Sequence, residues 1–261
     1  MTFAPWHRNA RASASTDTDG MFGVPPPDLV EGPVWTSERP PPQRCERVVP
    51  TGGGQIVFDL DSGVGLLVGL RTVSAVVNPP LRARGVRLTG AGVYSIVGPG
   101  VAATVDQAVN LDTIVPTAVL RRLRAGGIAL DTLTELVVEL CGRFVADPRV
   151  VRAEQALRHG ATSRTVERDA AMDRRRFVPL FRSQIGISPN AYQRVMRFAD
   201  SLVSLRTSSA DPIAAIAAEH GYADQAHLTR DVRQLAATTP AKVRNLPAGP
   251  INHLPVDDTT R

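Results

Sequence analysis

The stretch Asp211-Pro212-Ile213-Ala-Ala-Ile216-Ala217-Ala-Glu-His220-Gly221-Tyr222-Ala-Asp224-Gln225-Ala226-His227-Leu228-Thr229-Arg230-Asp231-Val232-Arg233 decides how the C-terminal third of this chain folds. Ile213, Ile216 and Ala217 fall on one face of a helix. His220–Gly221 breaks that helix, and Asp224 is placed to cap a second one whose buried side carries Leu228 and Val232. Two short helices meeting at a tight glycine-containing turn form a helix-turn-helix, whose second helix lies in the DNA major groove with its N-terminal side chains near base edges. The residues pointing away from Leu228 and Val232 are Gln225, Ala226, Thr229, Arg230 and Arg233. Glutamine and arginine are the bidentate readers of adenine and guanine, and threonine contacts a base or a phosphate. The expected partner is double-stranded DNA.

Moving outward, the caps repeat. Asp147–Pro148 starts a helix through about Arg158, Ser188–Pro189 a long helix through about Leu205, and Asp211–Pro212 a helix to about Glu219. The charge follows the same division. The chain has 261 residues with 30 Lys+Arg, 25 Asp+Glu and a formal charge of +5. Residues 151–246 hold 15 Lys+Arg against 9 Asp+Glu, so the remaining 165 residues hold 15 against 16. A basic helical third on a neutral body suits a polyanion partner, although solvated arginines alone could produce it.

The N-terminal part reads differently. Residues 1–43, with Pro25–Pro27 and Pro40–Pro42, are expected to be a disordered arm anchored at most by Trp35, and residues 246–261 a disordered tail. Between them, residues 44–145 read as a β-rich domain for ligand sensing or dimerisation. Strands are expected over Gln55–Leu60, Val64–Leu70, Arg71–Val77 and Arg84–Leu88, forming an antiparallel meander or small barrel. A short helix over Gly92–Gly98 and a longer one over Leu130–Val145, with Asp131 as its cap, follow. The fold class is α+β: a β-rich domain followed by an all-α domain over residues 147–245.

Several function classes find no motif. The two cysteines, Cys45 and Cys141, make neither a disulfide framework nor a zinc site, and a reducing cytoplasm is the plain expectation. No apolar run is long enough to span a bilayer, and no secretory signal is present. The five histidines lack metal-ligand spacing. Thr51-Gly52-Gly53-Gly54 lacks the lysine end of a phosphate loop, and no Gly-x-Ser-x-Gly elbow occurs. No cofactor and no enzymatic activity are expected.

The stretch from Ile213 to Arg230, followed by Thr239-Pro240, closely resembles the signature of AraC-type transcription regulators. Gly186-Ile187-Ser188-Pro189-Asn-Ala-Tyr192-Gln-Arg194-Val-Met-Arg197-Phe198 resembles the same family's junction and linker helix. Residues 46–115 loosely resemble the N-terminal domain of one branch, through Val48-Val49-Pro50-Thr-Gly and Gly85-Val-Arg87-Leu. The resemblance implies two helix-turn-helix modules joined by one long helix, reading two successive major grooves of promoter DNA, mainly through the second module. It also implies RNA polymerase as a partner, a small-molecule effector and a homodimer. Residues 189–205 would span roughly 25 Å as a helix, which suits modules about one DNA turn apart. The first module would then use Ala161–Ala170 as support helix and Asp173–Ser183 as recognition helix, with Asp173 as its cap. It departs from the family pattern at Glu167, at Ala171 in place of the turn glycine, and at Val178 and Pro179 on the groove side. In the second module, Val232 replaces an aromatic residue and Ala237 a glycine.

Arg174, Arg175 and Arg176 read as phosphate contacts or a solvated cluster. His227 either contacts DNA or caps and packs at the helix start. Arg230 either reads DNA or pairs with Asp231 or Asp224. Arg194 and Arg197 either hold phosphates or make structural ion pairs. A second reading keeps the helical domain as a degenerate module for protein interaction or non-specific DNA binding.

Overall fold

The computed structural model describes residues 28–32, 34–39, 45–208, 211–246 and 252–256. Its strands, in chain order, are β1 (Trp35–Glu38), β2 (Glu46–Val48), β3 (Gly54–Asp59), β4 (Gly65–Val68), β5 (Ala75–Val77), β6 (Arg82–Leu88), β7 (Ala108–Asn110) and β8 (His253–Pro255). Five of them form an antiparallel sheet in the order β1-β6-β3-β4-β7, and three form a second sheet in the order β5-β2-β8.

The large sheet follows from alternation. In β3, Ile56 and Phe58 point inward while Gln55, Val57 and Asp59 are partly exposed, the period-two pattern of a half-buried strand. Ile56 lies opposite Leu67 on one side and Val86 on the other. Helices α1 (Gly90–Val97), α3 (Thr117–Ala125) and α4 (Leu130–Leu140) supply Val93, Ile96, Leu120, Leu123, Leu136 and Leu140 to the same core. A short α2 (Val101–Thr104) follows α1.

The C-terminal part is helical: α5 (Pro148–Arg158), α6 (Ser163–Asp169), α7 (Arg174–Ile185), α8 (Pro189–Thr207), α9 (Ile213–Glu219), α10 (Gln225–Ala236) and α11 (Pro240–Arg244). The caps act as the sequence indicates at most starts. Asp147 accepts from Arg149 N–H at 2.9 Å, Ser188 from Ala191 N–H at 3.3 Å, and Asp224 from His227 N–H at 2.6 Å. Two cores form here. One gathers Phe177, Phe181, Ile185 and Tyr192 with Leu70 and Ala91, and the other gathers Phe198, Leu202, Leu228 and Val232 with Val49 and Leu254.

Several expectations are corrected. Within the stretch expected to be a disordered arm, Trp35–Glu38 are strand β1, paired with Arg82–Gly85 of β6. Gly85 makes this possible, because a side chain there would strike the Trp35 ring. Residues 1–27 of that arm lie outside the described residues. In the expected tail, His253–Pro255 pair with β2, while residues 247–251 and 257–261 lie outside the described residues. The expected four-strand meander is broken. Of Arg71–Val77 only Ala75–Val77 is strand, and it joins β2 in the second sheet rather than β4. The reason lies at Arg71–Val73, where Asp106 accepts from Thr72 N–H at 2.7 Å and Thr72 Oγ1 at 2.5 Å and turns the chain aside. Asp131 lies in the first turn of α4 and does not cap it; Ala129 is the cap residue. Asp211 does not cap α9, which starts after Pro212 without a side-chain cap.

Candidate nucleic-acid interface

Both modules are built on one linker helix, α8, whose 19 residues span about 28 Å at 1.5 Å per residue. In the first, α6 is the support helix and α7 the second helix. Thr162 caps α6 through Thr165 N–H, and Asp173 caps α7 through Arg175 N–H at 2.7 Å. Between them Ala171 adopts φ +49°, a left-handed conformation that costs a residue with a Cβ about 1–2 kcal/mol. The corresponding turn of the second module has Gly221 at φ +70°, where no such cost arises.

The first module buries much of α7. Phe177, Phe181, Gln184 and Ile185 are buried, and the Phe181 ring meets Tyr192 edge-on at 6.0 Å. Pro179 sits inside α7, and the helix continues through it to Ile185. Its neighbours include α1 and α2 of the N-terminal part. Arg174, Arg175 and Arg176 are all exposed at its start. Arg174 Nε lies 2.7 Å from Glu167 Oε2, so the polar support-helix residue holds one of the three arginines. Beside this pair opens a cleft of about 590 Å³ lined by Ser163, Arg164, Glu167, Arg168, Arg174 and Asn190. Sequence reasoning left out Arg164 and Arg168 as anion-facing residues. Their four-residue spacing, which places both on one face of α6, is the signal that finds them.

In the second module, Leu228, Val232, Leu235 and Ala236 form the buried side of α10. On the opposite side Gln225, Ala226, Arg230 and Arg233 are exposed and Thr229 is half-buried. Thr229 Oγ1 donates to the Gln225 carbonyl at 2.8 Å, which turns that hydroxyl toward its own helix. Among the described residues, no ion pair holds Arg230 or Arg233. The alternative pairing of Arg230 with Asp231 is not made, because Asp231 is turned inward. Its side chain, 6 % exposed, meets Arg194 Nη2 at 2.7 Å and Arg197 Nη2 at 3.5 Å. Arg194 and Arg197 therefore tie the linker helix to α10 as structural ion pairs. Arg197 also stacks over the Tyr222 ring at 4.4 Å. Burial pushes the Tyr222 phenol up to about 12. His227 closes this stack: its ring stands edge-on to Tyr222 at 5.1 Å, and its Nδ1 accepts from Ala223 N–H at 3.4 Å. The geometry gives His227 a packing role at the turn. His220 does the same work at the other end, with Nε2 2.8 Å from Ser204 Oγ on α8.

The chain matches a family model described as a helix-turn-helix domain over residues 166–246. No curated protein sequence matches it. Among solved structures it is similar to ToxT from Vibrio cholerae. ToxT bound to (E)-4-(8-methylnaphthalen-1-yl)but-3-enoic acid has 11% identity and a TM-score of 0.42, with 80% of this chain and 96% of that chain covered. Unsaturated fatty acid bound ToxT has 10% identity and a TM-score of 0.38, with 84% and 95% covered. No helix among the described residues is long and apolar enough to cross a membrane. With two helix-turn-helix units on one linker helix and a family match over the second unit and most of the first, the chain carries a helix-turn-helix domain over residues 166–246.

Proposed function

We propose that the protein is a sequence-specific transcription regulator that reads promoter DNA in two successive major grooves, with direct readout concentrated in α10. The observation that carries this reading is the outer face of α10. Gln225, Ala226, Arg230 and Arg233 are exposed on a helix whose opposite side is fully buried. Gln225, Thr229 and Arg230 are the base-reading set, with Ala226 allowing close approach. Arg233 and the Arg174–Arg176 cluster act on phosphates, joined by Arg164 and Arg168 across the cleft. His227 supports the turn. The first module positions more than it reads, because Val178 offers no hydrogen bond and Pro179 removes a backbone donor from its helix.

RNA polymerase, a small-molecule effector acting through the N-terminal part and a second copy of the chain complete the partner set of this reading, at work in the cytoplasm. A second reading, non-specific DNA binding or protein interaction by a degenerate domain, draws on Glu167 and Pro179 in the first module. One experiment separates them: capture of fragmented genomic DNA by the purified protein at two salt concentrations, followed by sequencing. Enrichment of fragments sharing a motif at the higher salt supports specific reading. Uniform retention that disappears with salt sinks it, since phosphate contacts alone scale with counterion release.

A further inference from the structure

One short segment of the N-terminal part touches both modules. Val49, 2 % exposed, packs with Phe198, Leu202 and Leu254 in the core of the second module. Three residues on, Gly52 meets the first module. Its carbonyl accepts from the Tyr192 hydroxyl at 2.6 Å and from Arg158 Nη1 at 3.2 Å. Gly52 holds φ +83°, and a Cβ there would strike the Met196 sulfur at 2.2 Å. Tyr192, Met196, Phe198 and Leu202 are all buried residues of α8, in that order along the helix, so the segment lies along the linker helix from one module to the other.

Each end of this brace is fastened separately. At the first module, the buried Glu154 of α5 accepts from Gly90 N–H at 2.6 Å and Ala91 N–H at 2.9 Å, the first amides of α1. Glu154 also lies 2.8 Å from the Tyr192 hydroxyl, and Arg158 pairs with Glu31 at 2.8 Å. At the second module, β8 returns to β2, where Val49 N–H donates to the Asn252 carbonyl at 3.1 Å and His253 Nδ1 meets Glu46 at 2.5 Å. An α-helix with its two end units otherwise resting only on itself would leave their relative angle soft.

We infer that the Val49–Gly52 segment is a brace that fixes the distance and angle between α7 and α10, making Val49 and Tyr192 positioning residues for two-groove reading. The inference concerns the shape of the reading head; only its DNA arm rests on the function proposed above. With the brace in place, the full chain accepts one spacing between half-sites. With it loosened, the chain tolerates insertions between them.

The test measures the α7–α10 distance in the full chain by pulsed electron paramagnetic resonance, with spin labels at Ser183→Cys and Ala226→Cys in a Cys45→Ser background. The wild-type brace gives a single narrow distance. Val49→Ala and Tyr192→Phe, each with its melting transition retained, broaden it, and Val49→Ile restores the narrow peak. Identical narrow distributions in all variants overturn the inference, as does a broad one in the parent. As a second arm, unlabelled chains are offered the selected DNA site with base pairs inserted at its centre. Loss of binding in the parent with retention in Val49→Ala supports the brace. Equal tolerance in both overturns it. Failure to select any site, with the distances still narrow, counts against specific DNA reading and leaves the brace supported by its own measurement.

Discussion

The two helix-turn-helix modules share a plan and differ in what surrounds their second helices. α10 is packed on one side only, into the core of its own module, and turns an exposed polar face outward. α7 is also packed against α1 and α2, carries a proline within it, and has its first arginine tied to Glu167. The same motif thus presents an open polar face in one place and has its second helix packed against helices of the N-terminal part in the other. The difference teaches that the second helix of such a motif can be held by more than its own module, because the core behind α7 also takes in Leu70 and Ala91.

The largest effect that would break this comparison lies at Asp231. Asp231→Ala leaves Arg194 and Arg197 facing each other without their buried carboxylate. Both arginines keep some solvent, so the expected loss is about 2–3 kcal/mol rather than the full cost of a buried unpaired ion. Denaturant unfolding measures it. A loss as large from Glu167→Ala, which breaks a pair whose arginine is exposed, would erase the contrast between modules. Next, Arg230→Ala is expected to weaken DNA binding by about 1–3 kcal/mol and relax the preference at one base position. Arg175→Ala is expected to weaken all sequences alike and lower the salt slope by about one. Competition binding on a panel of single-base variants distinguishes the two patterns, and a base-selective loss from Arg175→Ala would make the first module a reader too.

The two fastenings of the N-terminal part differ in their response to pH. Burial pushes the Glu154 carboxyl above its usual range, against the pull of Arg158 and the α1 amides. Its folded form holds the proton more tightly, so stability at the first module falls as pH rises above the ordinary value of 4.5. Glu46 is held down to about 2, chiefly by its hydrogen bond from His253 and also by Arg39, so its contribution is present above 4.5 and is lost as pH falls toward 2. Glu154→Gln is therefore expected to flatten the alkaline limb of a stability–pH curve and Glu46→Gln the acid limb, read by thermal melting. The reverse assignment would show that burial does not govern Glu154. The smallest effect is at the turn, where Ala171→Gly relieves a left-handed φ. It is expected to stabilise by about 0.5–1 kcal/mol after the extra chain entropy of glycine, whereas Gly221→Ala should destabilise the second module.

What was legible in the sequence is what short-range physics dictates. Asp147, Ser188 and Asp224 each sit two or three residues from the amide they cap, so helix starts could be read locally. The buried face of α10 follows from spacing alone, whereas the turn at Ala171 was marked only by the resemblance, as a place where a glycine is replaced, and its left-handed φ came with the structure. β1, β7 and β8 escaped, because each is a short strand whose partner lies far along the chain and whose own composition carries little pattern. α3 escaped because polar residues separate its buried Leu120 and Leu123 from further apolar positions. At the interface, the residue types of α10 were readable. The inward turn of Asp231 and the stacking of Tyr222, His227 and Arg197 were not, since they depend on how α8 crosses α10.

The return of β8 to β2 has a consequence for how the chain is made. Glu46 and His253 are 207 positions apart. At roughly 5–20 residues per second, a ribosome needs on the order of 10–40 seconds to deliver the second after the first. Throughout that interval one edge of β2 has open hydrogen-bonding groups, the condition that invites strand pairing between nascent chains. Glu46 and Arg47 place opposite charges on this three-residue strand, a short and charged edge of the kind that resists such pairing. Closure of the second sheet is thus a late event in synthesis, and the core of the second module is complete only once residues 253–255 have emerged.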